Sequence, residues 1–116
     1  MKNMNIERVL EILENGNFED IKVKTKAIAL TKSTYYDITL KEGGGIRLEQ
    51  FGHMFSRHFK YTIYLFVPIE DMSIESWTIE YKKRPALYKR VKDIFYKLHY
   101  DIIKERDEKY SKYFPQ

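Results

Sequence analysis

The residues of this chain that could do chemistry are few, and most crowd into one stretch. Lys82-Lys83-Arg84 stands immediately before Pro85, and Pro85 suits the first turn of a long C-terminal helix. A helix N-terminus carries about half a positive charge, so cations there either turn to water or share an anion with the free N–H groups. Just upstream, Asp71 precedes Glu80-Tyr81-Lys82. On an extended strand Glu80 and Lys82 take one face, and Trp77, Ile79 and Tyr81 take the other. Two carboxylates holding a divalent cation, with a Lys beside an attacking water, is an arrangement for metal-dependent phosphodiester cleavage. The three histidines offer less. His53 and His58 are five apart and fall on opposite faces of a continuous strand, while His99 is expected to pack with one hydrogen bond. Without Cys a zinc site must borrow carboxylates, and no spacing here is characteristic of one. Gly43-Gly44-Gly45 lacks the Lys-Ser/Thr and the helix that follow a phosphate-cradling loop, and no Ser lies in a nucleophile elbow. No metal or cofactor is expected, and Asp71, Glu80 and Lys82 are the catalytic candidates.

Over those three positions the chain resembles the Asp…Glu-x-Lys core of restriction-type nucleases. The resemblance implies Mg²⁺- or Mn²⁺-dependent cleavage, with an upstream Glu7, Glu11 or Glu14 completing the carboxylate set. That family's core continues through a helix into a further strand beside the Glu-x-Lys strand. Here the chain ends in helix.

Charge narrows the choice of partner. The formal net charge is +4, and Lys outnumbers Arg fifteen to six. Residues 1–21 sum to −3, residues 22–68 to +5, residues 69–81 to −4 and residues 82–116 to +6. Two basic blocks flank an acidic connection, which favours polyanionic partners. A Lys-rich balance suits diffuse phosphate attraction more than bidentate readout. No apolar run approaches the 18 or so residues of a membrane span and no signal peptide is visible, so a soluble cytoplasmic protein without a membrane partner is expected.

The elements that position these groups follow from periodicity. A chain of 116 residues is one domain, expected to span 1–116 with a short flexible tail from about 110. Ile6, Val9, Leu10 and Leu13 form an amphipathic helix stripe, with Asn5 as N-cap and Gly16 as stop. Ile21, Val23, Thr25 and Ala27 then alternate with Lys22, Lys24 and Lys26. Tyr36, Ile38 and Leu40 face Ile46 and Leu48 across a Glu42–Gly45 hairpin loop. Phe59 to Val67 is apolar on both faces and is expected to be covered on both, ending at Pro68. Phe51 to His58 extends the third strand or forms a helical turn. Trp77 to Tyr81 predicts a fifth strand, and helix then runs from Pro85 to about Lys109. The expected fold is α+β: a two-layer, mostly antiparallel sheet of four to five strands, packed by the long C-terminal helix and the short N-terminal one.

On the last helix Leu87, Val91, Ile94, Phe95, Leu98 and Ile102 share the arc that should lie on the sheet. Arg90, Lys97 and Lys104 recur every seven residues and are expected opposite it, where Asp93 can pair with Lys97 and Asp101 with Lys97 or Lys104. Tyr96, Tyr100 and Ile103 lie between, flanked by the N-terminal helix or forming a homodimer edge. Cations interleaved with exposed tyrosines are how single-stranded nucleic acid is held. The leading expectation is therefore a small non-enzymatic module that binds nucleic acid or a nucleic-acid-bound complex. Its surface would be Lys82, Lys83, Arg84, Lys89, Arg90, Tyr96, Lys97, Tyr100 and Lys104. The alternatives are a protein-binding adaptor or inhibitor of the phage or mobile-element type, docking on an acidic host surface, and the metal nuclease.

Overall fold

A computed structural model describes residues 5–41, 43–66 and 73–110. Helix α1 (Ile6–Asn15) opens at Asn5, whose side chain accepts a 2.9 Å hydrogen bond from the Arg8 amide, and closes at Gly16 with φ 67°. Both ends therefore satisfy amides or carbonyls that a helix leaves free, which is why a ten-residue helix stops cleanly at each. Five strands follow: β1 (Asp20–Ile28), β2 (Thr31–Thr39), β3 (Gly45–His53), β4 (Lys60–Phe66) and β5 (Ser73–Ile79). Each pairs antiparallel with the next, so the sheet order is the chain order. Helix α2 (Pro85–Tyr110) ends the described chain.

Register explains the core. Tyr36 stands opposite Leu48, Leu48 opposite Ile63, and Ile63 opposite Trp77, while Ile38, Ile46 and Leu65 form a parallel row. These inward residues join Val9, Leu10, Ile12 and Leu13 of α1 and Tyr88, Val91, Ile94, Phe95 and Leu98 of α2 in one buried cluster. Phe95 sits at its centre, with ring centroids 4.6 Å from Tyr36 and 5.7 Å from Tyr61. The two buried phenols stay protonated. Burial raises Tyr36 to about 12, with the charge of Tyr96 adding to it, and pushes Tyr61 higher still. The Tyr36 hydroxyl shares a 2.9 Å hydrogen bond with His99 Nδ1, the single bond expected of that histidine.

Two expectations change. The strand expected over Phe59 to Val67 is described as β4, Lys60–Phe66, and is covered by helix on one face only: Lys60 is exposed, and Tyr64 and Phe66 are half-buried on a sheet face that carries no helix. Neighbouring side chains shield that face instead. Arg47 donates to Asp37 at 2.6 and 3.2 Å, and its guanidinium lies 5.4 Å from the Tyr35 ring centroid and 5.6 Å from that of Phe66. Burial opposes ionisation of Asp37, but the hydrogen bonds and charge of Arg47, helped by Lys24, outweigh it and hold the carboxyl below its ordinary range. Second, the 51–58 segment divides. Phe51 to His53 extends β3, and a turn follows in which Ser56 N donates to His53 O. Gly52 permits this turn, because a Cβ there would run into the ring of Phe59. Pro68 and the tail from 111 lie outside the described residues.

Antiparallel strands alternate direction, so the β1–β2 turn, the β3–β4 connection and the β5–α2 turn all emerge at one end of the sheet. Met54 N donates to Leu30 O at 2.8 Å and ties two of them together. We call this end the head.

Candidate nucleic-acid interface

The head is where the protein's positive charge lies. Residues 26–32, 53–60 and 80–84 hold seven Lys or Arg against one acid, Glu80, a net +6 in a chain of net +4, so the remaining residues sum to −2. Lys83 meets Glu80 at 3.1 Å. No ion pair among the described residues engages Arg57, Lys82 or Arg84.

Local geometry holds these groups around a groove. β5 ends at Ile79, and the Glu80 carbonyl accepts from Lys83 N at 3.2 Å and Arg84 N at 3.1 Å, turning the chain into α2. Across from this turn, Phe59 N donates to the Tyr88 hydroxyl at 3.2 Å, fixing the β3–β4 connection to the helix. His58 stacks on Tyr81 with centroids 3.9 Å apart and 17° between planes, and meets Tyr88 edge-on at 5.7 Å. Between them opens a shallow groove of about 640 Å³ lined by Ser56, Arg57, His58, Phe59, Lys60, Glu80, Tyr81, Lys82 and Lys83. Cations border an aromatic floor.

Of the nine surface residues expected from the sequence, Lys82 and Lys83 line this groove and Arg84 follows them in the turn. Lys89, Tyr96, Tyr100 and Lys104 are exposed along α2. Arg90 and Lys97 are elsewhere. At 100° per residue they flank the apolar arc rather than oppose it, and this flank faces α1. Arg90 donates to Glu14 at 3.0 and 2.7 Å and to Glu7 at 2.8 Å, and Lys97 Nζ donates to the Glu14 carbonyl at 2.6 Å. The Arg90 hydrogen bond lowers the Glu14 carboxyl below its ordinary value, and the Glu14 and Glu7 carboxylates raise Arg90 in turn. Lys97 thus turns to α1, and among the described residues no ion pair joins it or Lys104 to the expected partners Asp93 and Asp101.

The nuclease set is not gathered. Asp71 lies outside the described residues, and Glu80 and Lys82 fall in a turn, not on one strand face. Glu80 pairs with Lys83, Glu7 and Glu14 are held by Arg90, and Glu11 lies 3.6 Å from Arg8. Among the described residues no three His, Asp or Glu side chains group as metal ligands, and no helix is long and apolar enough to cross a membrane.

Sequence reasoning missed Arg57, His58 and Lys60 as members of the site. The signal was available in Phe55-Ser56-Arg57-His58-Phe59-Lys60, where rings and cations interleave as Tyr81 adjoins Lys82-Lys83-Arg84. What the sequence withheld is that the two stretches meet. No protein-family model, curated protein or solved structure matches the chain.

Proposed function

We propose that the protein is a non-catalytic module that binds nucleic acid, or a nucleic-acid-bound complex, through the head. The observation that carries this reading is the charge separation: a net +6 at the head against −2 over all other residues. Like charges gathered on loops repel one another, and a polyanion is the partner that turns this repulsion into affinity. The surface differs from the one expected on the helix flank, because Arg90 and Lys97 serve the α1 contact. Lys82, Lys83 and Arg84 carry over, joined by Arg57 and Lys60.

Fluorescence anisotropy of a labelled oligonucleotide tests the reading. Contact with four phosphates makes log affinity fall against log salt with a slope of about −3 to −4, measurable from about 50 to 200 mM salt. A steep curve in the micromolar range is the expected result. Absence of binding at the lowest salt would remove this reading and leave the acidic protein surface as the partner to pursue.

A further inference from the structure

The head is apolar as well as basic. Phe55 is 77% exposed, Met54 70%, Ile28 60% and Leu30 46%, the first two in the β3–β4 connection, Ile28 at the end of β1 and Leu30 in the β1–β2 turn. Single exposed apolar residues are ordinary, whereas several on adjoining turns mark a contact surface. A second copy of the chain is a poor occupant, since it would set +6 against +6. The occupant must be anionic and must also offer flat apolar faces. Duplex nucleic acid presents its phosphates and hides its base faces in the stack. A single strand presents both.

Resting on the nucleic-acid reading above, we infer that the head selects single-stranded over duplex nucleic acid, with bases on Phe55 and Tyr81 and phosphates on Arg57, Lys60 and Lys82. Arg57 and Lys60 line one wall of the groove, with Phe55 two residues before Arg57 in the same connection, and Tyr81 and Lys82 line the other, so each side offers a ring and a cation. Tyr81 is 44% exposed and is backed by His58 at 3.9 Å, which holds its ring as a platform. Phe55 is anchored at its base by the bond from its amide to His53 Nδ1 at 3.1 Å, and its ring lies 5.5 Å from the His53 ring. Base–aromatic stacking is tolerant of sequence, as the Lys-rich phosphate contacts are, so little base preference is expected.

The test compares a labelled single-stranded 20-mer with the same sequence as a duplex, at one salt concentration, against the intact chain. The single strand should bind at least about tenfold tighter. Phe55→Ala should weaken single-strand binding about five- to tenfold and leave the salt slope unchanged, since it removes stacking and no charge. Tyr81 also touches Tyr88, so Tyr81→Ala is accompanied by Tyr81→Phe, which keeps the ring and should keep the affinity. In Phe55→Trp the new indole should be quenched by the single strand. Duplex binding equal to or tighter than single-strand binding would overturn the inference while leaving nucleic-acid binding intact. Loss of both would remove the underlying reading. Sedimentation with phosphatidylserine vesicles, without binding of either oligonucleotide, would overturn both and assign the apolar turns to a membrane surface.

Discussion

Arg90 and Arg84 are six residues apart on either side of the start of α2, and their surroundings are opposite. Arg90 meets two carboxylates of α1 and is two-thirds covered. Arg84 is exposed at the head, in a turn whose one acid pairs with Lys83. The same contrast divides the molecule: Arg90 and Lys97 on the α1 flank join secondary-structure elements, whereas Arg57, Lys82 and Arg84 at the head pair with no acid among the described residues. A cation that contributes to folding has its partner within the chain. One that costs repulsion and has no such partner points outward, and this is the physical ground for placing the interface at the head.

The contrast can be broken from either side, and the largest effect is expected on the flank. Arg90→Ala removes a two-pronged bond to Glu14 and leaves Glu7 unpaired, so stability should fall by about 1–2 kcal/mol, the range for a charge-assisted pair that is partly exposed. Thermal unfolding reads this. A variant as stable as the parent would make Arg90 a simply solvated cation and contradict the joining role.

Acidification probes the same contact without mutation. The Arg90 hydrogen bond lowers Glu14, and Arg47 with Lys24 lowers Asp37 against the opposing pull of burial. A depressed carboxyl contributes stability that is complete above its unfolded value, 4.5 for Glu14, and is lost as pH falls through its folded value. Stability should therefore be level near neutrality and decline below about pH 4.5, and Glu14→Gln should flatten part of that decline. A Glu14→Gln profile parallel to the parent would contradict the assignment.

A smaller effect belongs to the head itself. Ala29 adopts φ 54°, a left-handed conformation that costs a residue with a Cβ about 1 kcal/mol. Ala29→Gly should raise stability by up to that amount, as read by denaturant unfolding, and leave oligonucleotide binding unchanged because it alters no charge or ring. Smallest of all, Lys82→Gln with Arg84→Gln should change stability by no more than about 0.5 kcal/mol, since neither side chain has a partner to lose. A larger loss would mean that these cations do hold the fold.

The fold was legible where local signals agree with tertiary structure. Asn5 and Gly16 bound α1, the Gly-rich loop marks the β2–β3 hairpin, and the stripe from Leu87 to Ile102 lies on the sheet. The β1–β2 turn was not legible. Ala29-Leu30 contains none of the Gly, Asn or Asp that two-residue hairpins favour, so nothing in the string announces that β2 begins at Thr31. Tyr88 belongs to the core and falls three and seven residues before Val91 and Phe95, a spacing that could have found it. The site was half legible. Lys82-Lys83-Arg84 stood out, whereas Arg57, His58 and Lys60 join it only through the register that brings two connections to one end. The stripe of Arg90 and Lys97 misled for a related reason: periodicity gives the angle around a helix and not the neighbour that fills it.

The most direct test of the account compares two variants in one anisotropy experiment with a labelled single strand at about 50–200 mM salt. One replaces the head cations Arg57, Lys60, Lys82 and Arg84 with Gln, and the other replaces Lys89 and Lys104 on the exposed length of α2. The head variant should lose at least about tenfold in affinity with a slope shallower by about 3, and the helix variant should stay within about twofold of the parent. Binding that survives the head changes and disappears with the helix changes would contradict an interface at the head.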